Sequence, residues 1–271
     1  MKSFFRVVLP VALVFLRSRI CGGAGSGAAS TSVEVPSGID HSAWGRLLAE
    51  YVDEKGRVAY ARLAASASDR DSLRAYVAQF AQTGTAPADG PERIASLINA
   101  YNAFTISWIL ENYPTSSIRS TSDPFKGRRY DVGGRKVSVD DIEHTMLRPT
   151  AGFRVHAAIS CASRSCPPLS REAYAAATLD ASLDAGMRRW LAREDLNRFL
   201  PAQRKAEVSK LFKWFKEDFE KGNKGFSKVE DVFAKYADQL ADAPGERQSI
   251  RARTATIAYL DYDWSLNDVG R

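Results

Sequence analysis

One wide apolar stripe, running from Ile94 to Ile109, constrains the fold of this chain more than any other feature. Pro91 precedes it, at a position where the missing N–H of proline costs a helix nothing. The apolar and aromatic members recur at helical spacing: Ile94, Leu97, Ile98, Tyr101, Trp108 and Ile109. A helix with so wide a stripe needs burial on more than one side. We therefore predict a central helix that ends at 113–114, where a proline follows Tyr113.

Helical patterns outnumber strand patterns in the rest of the chain. Helices are predicted near 44–51, 73–80, 142–147, 179–192, 211–219 and 227–240, the last two with many aromatic residues. Strands are predicted at 57–60, 153–159 and 256–264, and as a hairpin over 129–139 around Gly133 and Gly134. Because the two types do not alternate, we expect an α+β fold. It would be a helix-rich single domain around a small, mainly antiparallel sheet.

The N-terminal segment has the pattern of a secretory leader. Lys2 and Arg6 precede a short apolar run at 7–16, and small residues follow it at 22–24. We predict a leader over 1–24, a flexible lead-in over 25–40 and a folded domain over 41–271. The apolar run is too short to span a bilayer, so no stable membrane span is expected.

Charge gives little support for a nucleic-acid partner. The formal net charge of +6 includes four basic residues of the predicted leader, which carries no acidic residue. No basic patch with interleaved aromatic residues stands out elsewhere, so nucleic-acid binding is not expected. No phosphate-binding glycine loop occurs, and we expect no cofactor.

The segment 153–169 concentrates the residues that could carry chemistry. It holds His156, Cys161 and Cys166, whereas the third cysteine, Cys21, lies in the predicted leader. Alternation over Phe153–Ile159 predicts a strand with His156 on its second face, followed by a turn that presents Cys161. A histidine base and a thiol brought to one strand end would suit nucleophilic catalysis. A loop closed by a disulfide would have the same sequence.

Five motifs in this order together resemble the family called domain of unknown function 547 (DUF547). They are LINAYNAF at 97–104, IEHTMLR at 142–148, HAAISCASRSCPP at 156–168, KWFKEDF at 213–219 and YDWSLN at 262–267. The resemblance covers most of the chain from about Trp44 onward. It implies a DUF547-type domain over 41–271 and a periplasmic or secreted location, because bacterial members often follow a leader. It names no reaction.

The family pattern favours Cys161 over Cys166 as a reactive thiol. A papain-like or transglutaminase-like fold is a candidate. Those folds place the cysteine before the histidine along the chain, however, so His156 preceding Cys161 would require a rearranged site.

Three hypotheses remain open from the sequence. In the first, Cys161 is the nucleophile of a hydrolase or acyl transferase acting on a peptide or small molecule. His156 or His144 would be its base, and Glu143 or Asn99 would orient that base. In the second, a non-catalytic structural or binding domain carries a Cys161–Cys166 disulfide. In the third, these histidines and cysteines with Glu143 bind a metal, although their spacing is not a standard zinc pattern.

Two further groups of polar residues have competing interpretations. Asn99 and Asn102 lie inside the central helix, where they could bond neighbouring backbone or orient a catalytic group. The acidic residues Glu217, Asp218, Asp261 and Asp263 lie among aromatic residues and could do acid–base work. We favour a structural role for them, in which they cap helices or pair with arginines such as Arg148 and Arg154.

Overall fold

The central helix, α4, spans Gly90–Glu111 and is 22 residues long. Every residue from Ala95 to Ile106 is buried, which confirms that more than one of its sides is covered. Pro91 occupies its first turn, and the Tyr113–Pro114 peptide bond just beyond its end is cis. Three elements pack against it: helix α3 (Ala67–Ala78), a short helix at Ala176–Thr178 and a π-helix at Ile142–Leu147.

A computed structural model describes residues 33–221 and 225–270. The predicted leader over 1–24 and the first half of the lead-in, 25–32, lie outside the described residues and stay predictions. Within the described ranges, no helix combines the length and apolar character needed to cross a membrane.

Twelve α-helices occur in the part of the chain that is described. They are α1 Ser42–Tyr51, α2 Tyr60–Ala65, α3 Ala67–Ala78, α4 Gly90–Glu111, α5 Val139–Asp141, α6 Arg148–Ala151, α7 Leu179–Leu191, α8 Leu211–Trp214, α9 Lys216–Glu220, α10 Val229–Lys235, α11 Ala237–Leu240 and α12 Pro244–Arg251. The predicted helix at 211–219 breaks at Phe215, and the one at 227–240 breaks at Tyr236, so each is two short helices. The predicted helix at 142–147 is the π-helix.

The strands form two small sheets rather than one. Strands β1 (Tyr130–Val132) and β2 (Arg135–Val137) make the predicted antiparallel hairpin. Strands β3 (Arg198–Leu200), β4 (Lys205–Val208) and β5 (Thr256–Tyr259) form a mixed sheet, antiparallel between β3 and β4 and parallel between β4 and β5. The α+β class is confirmed, whereas the single, mainly antiparallel sheet is wrong. The reason is that β5 arrives from α12 and pairs beside β4 in the same direction.

The predicted strand at 153–159 is also wrong, because Phe153–Ala157 is a 3-10 helix. This segment lies between two hydrophobic clusters. Phe153 and Ala157 pack into the cluster formed by α7 and the C-terminal helices, and Val155 and Ile159 pack into the cluster around α4. Burial against two clusters therefore explains the apolar residues of this segment, and their alternation is not evidence for a strand. The predicted strand at 57–60 likewise reduces to two isolated bridges of Val58, to Val52 and to Asp268, because Tyr60 already begins α2.

Candidate functional site

A cavity of about 370 Å³ opens where the π-helix, the cysteine loop, helix α8 and the segment 262–264 meet. Four of the five predicted site residues line it, namely Glu143, His144, His156 and Cys161. Cys166 lines it as well. Most of the remaining wall is apolar or aromatic, with Tyr101, Pro124, Phe125, Ile159, Pro167, Leu211, Trp214, Phe215, Tyr262 and Trp264.

The cysteine loop is held in place by Asn102 of α4. Its amide donates to the carbonyl of Ala158 at 2.9 Å and accepts from the N–H of Ser160 at 2.9 Å. Both bonds are buried, and they fix the backbone directly before Cys161. The orienting role that the sequence left open for an asparagine thus falls to Asn102.

Asn99 serves another segment and does not line the cavity. Its amide donates to the carbonyl of Tyr174 at 2.8 Å and accepts from the N–H of the same residue at 2.9 Å. These bonds give no support to the hypothesis that Asn99 orients a catalytic group, which stays a prediction. Its side chain satisfies buried backbone groups instead, which is the commoner use of a buried amide.

Cys161 and Cys166 are both free thiols, so the disulfide of the second hypothesis is not formed. Cys166 is buried, and its sulfur accepts a hydrogen bond from the N–H of Cys161 at 3.0 Å. The hydroxyls of Ser163 and Tyr262 each lie 3.3 Å from the same sulfur. Burial opposes the charged form, but these donors and the Cys161 thiol outweigh it and lower the pKa of Cys166.

Cys161 is the more exposed of the two and has the opposite tendency. The hydrogen bond that its thiol makes with Cys166, together with burial, raises the pKa of Cys161. Its sulfur lies 3.3 Å from Ser163 Oγ and 3.3 Å from the Tyr262 hydroxyl. Within the pair, loss of a proton is therefore favoured at Cys166 over Cys161.

Neither His144 nor His156 forms a hydrogen bond with Cys161 or Cys166. His156 is buried, and its Nε2 lies 2.9 Å from the Asp218 carboxylate. Because that carboxylate only accepts, Nε2 carries the proton and Nδ1 has the free lone pair in the neutral ring. Burial lowers the pKa of His156, which favours this neutral form.

Asp218 is the centre of a largely buried charge network, and it pairs with Arg148, which is one of the structural roles that the sequence left open. Arg148 donates to it from Nε at 2.5 Å and from a terminal nitrogen at 3.1 Å. Burial opposes ionisation, but the hydrogen bonds from His156 and Arg148 outweigh it and hold the pKa of Asp218 well below its usual range. His144 is exposed at the cavity rim, where its Nδ1 lies 2.8 Å from Arg148.

Glu143 lies on the cavity wall, and Tyr101 of α4 donates a hydrogen bond to it at 3.2 Å. Burial raises the pKa of Glu143 to about 7. Near neutral pH this carboxyl therefore exists in both forms, as a general acid or base requires. Glu143 and His144 are adjacent in sequence, and both line the cavity. Glu143 bonds Tyr101, whereas His144 bonds Arg148.

The raised pKa of Glu143 predicts a pH-dependent stability. Between about pH 4.5 and 7 the folded protein retains a proton that the unfolded chain releases, so the free energy of unfolding falls as pH rises. Glu143→Gln removes this loss. We expect the stability of the variant relative to wild type to increase by up to roughly 3 kcal/mol between pH 5 and pH 8. Denaturant melts at both pH values measure it, with Glu172→Gln as an exposed control. A difference that does not change with pH would contradict the assignment.

Sequence reasoning missed three hydroxyl groups of this site, those of Tyr101, Ser163 and Tyr262. Ser163 donates to the Tyr262 hydroxyl at 2.8 Å, and burial raises the pKa of Tyr262 well above its ordinary value. Tyr262 therefore stays protonated beside both sulfurs. Its only sequence signal was membership of the motif at 262–267, far along the chain from Cys161.

The metal hypothesis finds no matching arrangement in the described residues. No three histidine, cysteine or acidic side chains there converge closely enough to hold an ion. His156 and Asp218 bond each other, and the two sulfurs are surrounded by hydroxyl donors. The histidine, the carboxylate and the two sulfurs are thus engaged in hydrogen bonds, an arrangement that suits thiol chemistry better than metal coordination.

Comparison with family models places residues 87–191 in the family described as "Protein of unknown function, DUF547". This match confirms the family that the motifs indicated. It includes both cysteines, His144, His156 and Glu143, whereas Asp218 and Tyr262 lie beyond it. No curated protein and no solved structure matched the chain, so the papain-like candidate gains no support.

Proposed function

We propose that the cavity catalyses thiol-dependent acyl hydrolysis or transfer. Residues 87–191, which match the DUF547 family model, contribute both of its cysteines. The observation that carries the proposal is the free dithiol at the cavity wall. Cys161 faces the cavity as a thiol, next to a Cys166 sulfur surrounded by donors. Such a pair supplies a nucleophile and a proton acceptor without a histidine contact.

In the first step, Cys161 Sγ forms a bond with the acyl carbon and its proton passes to the Cys166 thiolate. The Tyr262 hydroxyl, 3.3 Å from Cys161 Sγ, is the donor best placed to stabilise negative charge on the acyl oxygen. Tyr262 can serve in this way because its raised pKa keeps the proton on the hydroxyl.

In the second step, the bond to the leaving group breaks, and protonated Glu143 gives that group its proton. Water or another acceptor then attacks the thioester and loses a proton to the Glu143 carboxylate. Cys161 leaves as a thiolate and recovers its proton from Cys166. A carboxyl whose pKa lies near 7 suits both directions of this transfer.

His156 and Asp218 act as positioning residues in this proposal. The His156 ring stacks on Phe215, with 4.2 Å between ring centroids, and Phe215 lines the cavity. Asp218 fixes that ring from the other side through Nε2. The competing role of His156 as the base needs a bridging water or a side-chain movement, since no direct contact exists.

Acyl-enzyme trapping tests the proposal. After incubation with p-nitrophenyl acetate, we expect one acetyl group per molecule in the intact mass, located on Cys161 by peptide mapping. Cys161→Ser should abolish the adduct, and Cys166→Ser should slow its formation. Absence of any adduct, together with no titratable thiol, would favour the non-catalytic domain with a disulfide.

We also propose an exported location, supported by the leader pattern at 1–24 and by the family resemblance. Intact mass of the exported protein would show whether residues 1–24 are removed. An oxidising compartment favours disulfides, whereas the proposed chemistry needs free thiols. Thiol titration of the same sample therefore bears on both proposals. Two titratable thiols in exported protein would support them together, and a full-length mass would contradict the leader.

A further inference from the structure

The cavity has an aromatic entrance, of which the proposed chemistry uses only the Tyr262 hydroxyl. Trp214, Tyr262 and Trp264 form a contiguous cluster, the aromatic entrance, with centroid distances of 4.8 Å from Trp214 to Tyr262 and 4.6 Å from Tyr262 to Trp264. Trp214 is 46% exposed, which is unusual for so large an apolar side chain. Exposed aromatic surface that continues into a cavity marks a binding surface.

The inner wall continues the same apolar character towards the cysteines. Ile159, Leu211, Phe215 and Pro167 line the same cavity as the aromatic entrance and the two cysteines. A cavity of about 370 Å³ is near the lower end of the ligand-site range, which suits a ligand of medium size.

Three polar groups of the cavity are engaged within the protein, whereas the charged side chains of Asp123, Lys126 and Asp140 also line it. His156 bonds Asp218, His144 bonds Arg148, and Glu143 bonds Tyr101. A saccharide or a peptide backbone presents many donors and acceptors, and burying them here would leave several unpaired at a cost. A hydrocarbon chain makes no such demand.

We propose that the cavity receives an apolar acyl chain of medium length, and that Trp214 in the aromatic entrance selects for that length. The reaction in this inference rests on the proposed function, whereas the binding of an apolar chain does not depend on it. The carbonyl of the chain would lie at Cys161, and its methylene groups would extend past Leu211 and Phe215 to Trp214.

A chain-length series tests the proposal through activity. With p-nitrophenyl esters from acetate to octanoate, kcat/KM should rise about fourfold for each methylene that becomes buried. Trp214→Ala should reduce the octanoate-to-acetate ratio about tenfold, whereas Trp214→Phe should retain most of it. Val269→Ala, which truncates another exposed apolar residue (38% exposed), is the matched control and should leave the ratio unchanged. A ratio near one in the wild-type protein would overturn the proposal while leaving thiol catalysis intact.

A binding measurement on Cys161→Ser separates the two proposals. Octanamide should quench or shift tryptophan fluorescence in this variant, acetamide should not, and Trp214→Ala in the same background should weaken octanamide binding. Binding by the variant without any ester hydrolysis by wild type would support the apolar site and defeat the proposed reaction. Binding of lactose in place of octanamide would overturn the acyl-chain assignment in favour of a saccharide.

Discussion

Cys161→Ser is expected to lower kcat/KM for p-nitrophenyl octanoate by at least about a thousandfold, because it replaces the attacking sulfur. The side chain changes by one atom, and the loop is held by Asn102 rather than by the sulfur. Folding should therefore be unaffected, and a circular dichroism melt within a few degrees of wild type would establish this. Activity that persists in a folded Cys161→Ser protein would exclude this residue as the nucleophile.

The same assay identifies the proton acceptor. If Cys166 receives the proton, Cys166→Ser should reduce the rate by about a hundredfold or more. Because Cys166 raises the pKa of Cys161, the same variant should lower the pH needed for alkylation of Cys161 by iodoacetamide. His156→Gln should then have a smaller effect on that pH. The opposite pattern, with a normal Cys166→Ser profile and a shifted His156→Gln profile, would show that the histidine is the base.

Glu143 contributes at a different step, so its effect depends on the leaving group. Glu143→Gln should slow an alkyl ester more than the corresponding p-nitrophenyl ester, since p-nitrophenolate departs readily without a proton. An equal loss on both substrates would contradict the general-acid role.

Asp218→Ala is expected to destabilise the fold by about 3–5 kcal/mol near pH 7, the cost of breaking a buried ion pair. The Asp218 side chain is 8% exposed and is contacted by His156 and by two nitrogens of Arg148. Removing it leaves the guanidinium without its carboxylate and Nε2 of His156 without an acceptor. Urea denaturation of the full chain measures the loss.

The pH dependence of that loss provides a check on its cause. Because the pKa of Asp218 is depressed, its stabilising contribution is present above the pKa of an unfolded aspartate, near ~4, and declines as pH falls below it. Asp131→Ala is the matched control. Its salt bridge with Lys136 is exposed, with side chains 41% and 58% accessible, and should be worth no more than about 1 kcal/mol. Equal losses for the two variants would show that the buried network is not a major source of stability.

Local sequence patterns predicted those parts of the fold that depend on neighbouring residues. The hairpin at 129–139 followed from its two glycines, and Gly133 and Gly134 both have positive φ, as such a turn requires. Directly after the hairpin, Ser138 and Asp141 form a capping box, which likewise depends on residues close in sequence. Periodicity failed at 153–159, where two clusters bury the segment from opposite sides and remove the contrast between polar and apolar faces.

For the site, the sequence by itself determined which residues were chemically able to react. It indicated Cys161, Cys166, Glu143 and the histidines, and its short motifs showed the resemblance to the family whose model matches residues 87–191. Side-chain chemistry is a property of the residue, so it can be read without coordinates.

Only the tertiary structure decided which of these groups meet. It brought Tyr262 to Cys161 across a separation of 101 residues, paired His156 with Asp218 across 62, and directed Asn99 away from the cavity. It also raised the pKa of Glu143 and lowered that of Cys166. Hydrogen bonds and desolvation act over a few ångströms in space, and distance along the chain does not specify that separation.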